Sequence, residues 1–438
     1  MTKIGIGLLG LGTVGQGVAN IISNPNDRHP LVGELELLGV AVRDLQKKRD
    51  ISLPDSILTT DPSEIVNNQN IQIIVEVMGG IEPAKSLIIQ AIRAGKSIVT
   101  ANKAVIARHG EEIANEAKEA GVYVLIEAAV GGGIPIIEPL KQSLGGNQIT
   151  KVSGIINGTT NYILTRMDKE GVNYSDVLKE AQELGYAESD PAADVEGSDA
   201  ADKIAILSGL AFGGAINRAD IPTTGINRLE AIDVNYARKL GYVIKLLAIS
   251  EKGKDQSKSL KSQSLCVWVE PTLVPEDNPL AGVNGVNNAI LVEGNPIGQV
   301  MFFGPGAGSG PTASAVVADI LNIAGIKSMI KDKSFNLDPL LSAKSWRSCH
   351  VDEEKEITKK NYIRLIAEDT PGVIGQIGTI FGKKQISIES IVQFDVSNTE
   401  AEIVVITHKI KQGQLEQALL DIKKLPQIKG IAATMGCL

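Results

Sequence analysis

Aromatic residues are scarce: 2 Trp, 7 Tyr and 6 Phe make up only 3% of the 438 residues. Modules that stack nucleobases need exposed aromatic platforms, so that class is excluded. Positive charge is not in excess either. Lys and Arg number 43 against 51 Asp and Glu, a net charge of −8. That balance argues against a nucleic-acid backbone or an anionic membrane as partner. The three cysteines, Cys266, Cys349 and Cys437, lie far apart with no C-x-x-C. Neither a zinc ribbon nor a disulfide framework follows, and a reducing cytoplasm is the expected compartment. No stretch of 18 apolar residues occurs, so no transmembrane helix is expected. The N-terminal run MTKIGIGLLGLG is too short and glycine-broken for a secretory signal. Of the four histidines, His29 and His350 lie in segments read as polar loops, His408 lies in the last domain and nothing pairs His109 with an acid, so a histidine proton donor is not expected.

What is abundant is glycine, 45 residues, about 10% against a usual value of about 7%. The length suggests about three domains. The first third alternates apolar runs (IGIGLLG 4–10, LELLGVAV 35–42, IQIIVEV 71–77, SIVTA 97–101, VYVLIEAAV 122–130) with helical spacings at 14–23, 83–95 and 110–121. Near-continuous apolar strands between helices predict a buried parallel sheet, doubly wound in the Rossmann manner. Residues 1–134 are read as this dinucleotide-binding domain, completed by 305–345, where TASAVVADILNIAG (312–325) forms an amphipathic helix returning to it. Residues 135–304 read as an α+β substrate and dimerisation domain, with KGKDQSKSLKSQS (252–264) as an exposed hairpin loop. The charged stretch 346–360 reads as a linker, and 361–438 as strand, helix, strand, strand, helix, strand, a ferredoxin-like order.

Gly10-Leu11-Gly12-Thr13-Val14-Gly15 fits G-x-G-x-x-G between a predicted strand and a predicted helix. In that context the first glycine permits the turn, the second admits a pyrophosphate and the third lets helix and strand pack. The helix N-terminus then meets the phosphates. At the tip of the second strand stand Arg43 and Asp44, followed by Lys47, Lys48 and Arg49. An acid there holds the ribose 2′-hydroxyl of NAD, whereas an Arg accommodates the 2′-phosphate of NADP. Arg43 favours NADP(H), and Asp44 keeps NAD(H) open.

The densest polar signal is Gly185-Tyr186-Ala187-Glu188-Ser189-Asp190-Pro191, followed by Asp194, Glu196, Asp199, Asp202 and Lys203. Asp199 and Lys203 are four apart and share a helix face. A carboxylate beside a lysine orients it and holds its proton, as donation to a carbonyl requires. Charge alone favours a solvated acidic loop and helix over a site.

Together, GYAESDPAADVEGSDAADK (185–203), the turn Thr100-Ala101-Asn102-Lys103, the loop Glu127-Ala128-Ala129-Val130-Gly131-Gly132-Gly133-Ile134-Pro135, the segment Asn157–Tyr162 and Gly304-Pro305-Gly306-Ala307-Gly308 resemble homoserine dehydrogenase. The resemblance runs in order over residues 1 to about 345. It implies NADPH-dependent reduction of L-aspartate 4-semialdehyde to L-homoserine, reversible, in threonine, methionine and isoleucine biosynthesis. Lys203 takes the position of the proton donor, and Lys103 that of a second catalytic, cofactor-side lysine beside Thr100. Glu188 takes the position that binds the substrate amino group. Asp199 supports the substrate hydroxyl and Lys203, and Asp194 lies in the same pocket. Gly185 and Gly308 contact substrate or cofactor through their backbone. Glu127, Val130, Gly132 and Ile134 match a sodium or potassium site made largely of backbone carbonyls.

The turn Glu368-Asp369-Thr370-Pro371-Gly372-Val373 resembles that of an ACT domain, which longer members of the family carry. This implies an amino-acid effector, most simply L-threonine, at Asp369, Gly372 and Ile374. It also implies a homo-dimer or tetramer. The competing reading is a non-catalytic dinucleotide and amino-acid sensor of the same architecture. Such a sensor has no need to keep Lys103, Lys203, Glu188 and Asp199 together.

Overall fold

The computed structural model describes residues 3–253, 262–329, 347–395 and 400–438. The tip of the expected hairpin loop, 254–261, and residues 330–345 of the completing segment lie outside them. The chain divides into two compact units. One comprises Met1–Val152, Asp202–Arg218 and Asn287–Cys349; the other comprises Ser153–Ala201, Ala219–Val286 and His350–Leu438.

The first unit is built on β1 (Ile4–Leu9), α1 (Thr13–Ser23), β2 (Leu35–Ala41), β3 (Leu58–Thr59), α2 (Pro62–Asn67), β4 (Ile73–Glu76), α3 (Ala84–Arg93), β5 (Ser97–Thr100), α4 (Lys103–Ala120) and β6 (Val124–Leu125). The strands lie parallel in the order β3-β2-β1-β4-β5-β6, the doubly wound arrangement whose switch point sits beside β1 and β4. Ile6, Leu8, Ile73, Val75 and Val99 are fully buried, because helices cover both faces. Helix Ser309–Met329 does return here: Ala313, Val316, Ile320 and Ile323 share one core with Val18 and Ile22 of α1. The expected strand at 122–130 is cut short. Only Val124–Leu125 pairs as a strand, and Glu127–Ala129 turn as a 3-10 helix. Helix α4 begins at Lys103, seven residues before the amphipathic pattern that predicted it, because Asn102 caps it there.

The second unit holds α5 (Gly158–Glu170), α6 (Tyr174–Glu183) and α7 (Ala192–Val195); α8 (Ser198–Phe212) starts in this unit and continues into the first. Its sheet runs Tyr242–Lys252, Ser262–Pro275, Ile428–Cys437, Thr358–Glu368, Glu400–Thr407, Ile388–Asp395. All neighbours are antiparallel except Ser262–Pro275 with Ile428–Cys437. Residues 361–438 show the expected strand and helix order, with helices Val373–Lys383 and Gln412–Ile422 on one face over Ile363, Leu365, Ile403 and Val405. The opposite face meets helix Ala231–Lys239. There Arg364 is buried and binds Asp233 at 2.6 Å, Glu402 at 2.9 Å and Glu230 at 2.7 Å, and Tyr236 stacks on Phe394 at 4.0 Å. Among the described residues no helix is long and apolar enough to cross a membrane.

Candidate active site

The turn after β1 has the geometry that a dinucleotide needs. Gly10 lies at φ +106, and a Cβ there would stand 3.0 Å from the Val77 carbonyl oxygen. A Cβ on Gly15 would lie 2.2 Å from the Gly10 oxygen, so only glycine lets α1 pass β1 this closely. Gly12 faces open space, and no side chain caps the N-terminus of α1. The free N–H groups at Thr13 and Val14 suit phosphate oxygens. The turn therefore fits a pyridine nucleotide. Ser309 Oγ donates to the Thr13 carbonyl at 2.7 Å, which ties the Gly308 loop to this turn. Gly308 itself lies at φ +121.

Arg43 and Asp44 are exposed at the tip of β2. The Asp44 carboxylate accepts the Gln46 N–H, and Arg49 folds back onto the Asp44 carbonyl at 2.7 Å. Of the basic cluster, Arg49 is thus occupied in shaping the loop. At the end of β5, Thr100 is buried and its hydroxyl donates to Glu76 at 2.6 Å. Asn102 Oδ1 accepts the Val105 N–H, and its Nδ2 reaches the Gly80 carbonyl at 2.7 Å. These bonds place Lys103 at the first position of α4, beyond the carboxyl end of a central strand, where ligands bind in such sheets.

The loop 127–135 is organised by Glu127, which is 4% exposed. Its Oε1 accepts the N–H groups of Ile136 and Ile137, at 2.6 and 2.9 Å, and its Oε2 that of Glu138 at 2.8 Å. Its own N–H donates to Asp319 at 2.8 Å. Burial pushes both the Glu127 and the Asp319 carboxyl upward. With its side chain so engaged, Glu127 has a backbone carbonyl to offer a cation, the hard oxygen ligand that sodium or potassium takes. Gly131 and Gly132 lie at φ +77 and +56, in the left-handed region that turns such a loop tightly. Glu138, Glu127 and Asp319 bring carboxylate oxygens within 4.8 Å of one another, with the Lys141 ammonium 3.4 Å from Glu138.

In the second unit the acidic turn is held by a residue that sequence reasoning left without a role. Asn157 Nδ2 donates to Asp194 at 2.7 Å and to Asp199 at 2.9 Å. Thr159 Oγ1 donates to the Tyr186 carbonyl at 2.6 Å, fixing the turn after Gly185, which lies at φ +76. Glu188 is exposed on that turn. Asp199 stands in the first turn of α8, and Lys203 follows one turn later, both buried. Asp202 is engaged differently. It binds Arg218 at 2.9 Å and Arg108 at 3.2 Å, both in the first unit. Its place in the motif is structural.

Family models described as homoserine dehydrogenase, homoserine dehydrogenase NAD-binding domain and ACT domain match residues 135–321, 10–127 and 361–427. The homoserine dehydrogenase of Synechocystis sp. is 53% identical over 433 residues, 99% of either chain. The chain belongs to the homoserine dehydrogenase family. Its activity is that of a homoserine dehydrogenase, a pyridine-nucleotide-dependent oxidoreductase, and the reading as a non-catalytic sensor is not favoured. The solved homoserine dehydrogenase of Thiobacillus denitrificans, 38% identical, superposes with a TM-score of 0.89 over 100% of this chain and 98% of its own. A hyperthermophilic archaeal homoserine dehydrogenase in complex with NADPH is 30% identical, with a TM-score of 0.61 over 74% of this chain and 98% of its own.

As in the longer homoserine dehydrogenases, an ACT domain ends the matched region. Gly372 lies at φ +97 and opens helix Val373–Lys383. The Asp369 carboxylate accepts from Gln393 Nε2 at 2.9 Å, and Ile374 is exposed beside it. Glu76, Ser309 and Asp319 go unread in the sequence, and Asn157 is read only as part of a resembling segment, with no role. Each makes its telling bond to a residue at least 24 positions away, which no local pattern shows.

Proposed function

We propose that this homoserine dehydrogenase reduces L-aspartate 4-semialdehyde with NADPH, and that Lys203 donates the proton. The bound nicotinamide supplies the hydride. Lys203, 8% exposed, hydrogen-bonds the aldehyde oxygen and protonates it as negative charge develops there. Asp199, one turn away on α8, orients that ammonium and the substrate hydroxyl, with Asp194 in the same pocket and Gly185 supplying a backbone contact. Glu188 binds the substrate ammonium. Lys103 acts from the cofactor side, and Thr13, Val14, Thr100 and Gly308 line the nucleotide. Arg43 receives the 2′-phosphate, so NADP(H) is preferred and NAD(H) is accepted.

The observation that carries this reading is the pair of carboxylates, half-buried Asp194 and buried Asp199, fixed on one amide at the head of the helix that bears Lys203. A sodium or potassium ion binds the carbonyls of Glu127, Val130, Gly132 and Ile134. L-Threonine binds at Asp369, Gly372 and Ile374 and inhibits. The enzyme works in the cytoplasm as a homo-dimer or tetramer, in the synthesis of threonine, methionine and isoleucine.

The test is steady-state kinetics with L-homoserine and each nucleotide, with and without L-threonine. Lys203→Ala should lose at least ~10³-fold in kcat while NADPH binding, read by fluorescence, stays within a few-fold. A Lys203→Ala enzyme with ordinary turnover removes Lys203 as donor. Arg43→Ala should raise KM for NADP far more than for NAD; equal effects remove Arg43 from cofactor choice.

A further inference from the structure

Asn157 links strand Gln148–Ile155 to α5 and is 5% exposed. Its amide is used at both ends. Oδ1 accepts the Thr160 N–H at 2.9 Å and so caps α5. A donor on the oxygen fixes which way the amide faces, and Nδ2 must point away from the helix. There it donates one hydrogen to Asp194 Oδ1 and the other to Asp199 Oδ2. These carboxylates come from different elements, α7 and the first turn of α8. Two like charges drawn to one point repel, and a cation between them would compete with Lys203 for Asp199. An NH₂ group holds both without adding charge.

We propose that Asn157 is a positioning residue of the reaction: it sets the separation of Asp194 and Asp199 and aims Asp199 along α8. This rests on the role given above to Asp199.

The substitution Asn157→Asp separates helix capping from this role. An aspartate has the same shape and caps a helix as well as asparagine, so α5 keeps its Thr160 bond. The donor is replaced by a third carboxylate. Asn157→Asp should fold and bind NADPH as the parent does, yet lose on the order of 100-fold in kcat/KM for homoserine at pH 8. The loss should shrink as pH falls, because a proton taken up by the three carboxylates restores an O–H donor between them. The parent profile lacks that recovery. Asn157→Ser, a neutral cap with a single donor, should show a smaller loss, in kcat more than in nucleotide KM, with no recovery at low pH; it decides the matter if Asn157→Asp does not fold. The proposal is overturned if the folded variants keep kcat/KM within about twofold of the parent with an unchanged pH profile. An Asp199→Asn enzyme with parental kcat/KM overturns it differently, by removing the group that Asn157 is said to aim.

Discussion

Lys245 shows how far a single buried side chain departs from its ordinary chemistry. It is 3% exposed, and its ammonium donates to the Val283 carbonyl at 2.5 Å and to Asn161 and Asn284 at 3.3 Å. These partners are neutral, and burial pushes the amine down to about 8. The unfolded chain, with an ordinary lysine, therefore binds more protons than the native state between about pH 8 and 10.5. The burden of the buried charge is full below pH 8 and lifts as pH rises through that window. Thermal melts of the parent and of Lys245→Met should show the parent gaining on the variant from pH 8 to 10.5. A difference in Tm that stays level across the window would refute this. Gly132 is as exacting in a steric sense. A Cβ there would meet the Gly306 oxygen at 2.4 Å, at a φ that disfavours side chains. Gly132→Ala should lower stability by about 2 kcal/mol or more, read from denaturant melts.

Among the elements, the helix starts hold several of the candidate site residues. Asn102 caps α4 and thereby makes Lys103 its first residue. Asn102→Ala should cost about 1 kcal/mol from the lost cap. It should also lower kcat, because Lys103 loses its fixed origin. The sequence legibly announces the strands and helices of the first unit, since buried parallel strands and amphipathic helices leave periodic apolar patterns. It fails where a long-range polar bond overrules the pattern. VYVLIEAAV is apolar enough for a strand, yet it turns at Glu127, because that carboxylate gathers three N–H groups from 136–138 and its own N–H goes to Asp319. The motif at 185–203 announces the site through its acids, but not their division of labour. Asp202 reads like Asp199 in one dimension; only the fold turns it toward Arg108 and Arg218.

On the scale of the whole molecule, the C-terminal strands and helices follow the expected order, but what fastens them does not show in the sequence. Arg364 is the one basic residue in the apolar half of its strand, YIRLIA (362–367), and its partners Glu230 and Asp233 lie more than 130 residues earlier. Burial lifts the Asp233 carboxyl despite the guanidinium beside it. Arg364→Leu leaves that acid buried without its cation, and should cost about 3–5 kcal/mol. Adding Asp233→Leu should recover most of the loss, because a desolvated pair replaced by apolar groups costs little. Chemical denaturation of the two variants and the parent measures both steps.

That clamp also limits how modular the chain can be. A shortened enzyme ending before His350 would bring its own helix Ala231–Lys239 into water with Tyr236 bare and Asp233 stripped of its counterion. Freeing the preceding residues from the ACT domain is therefore a two-sided edit. The cut must be matched by a resurfaced helix, with a more polar residue in place of Tyr236, before the remainder behaves as a protein in its own right.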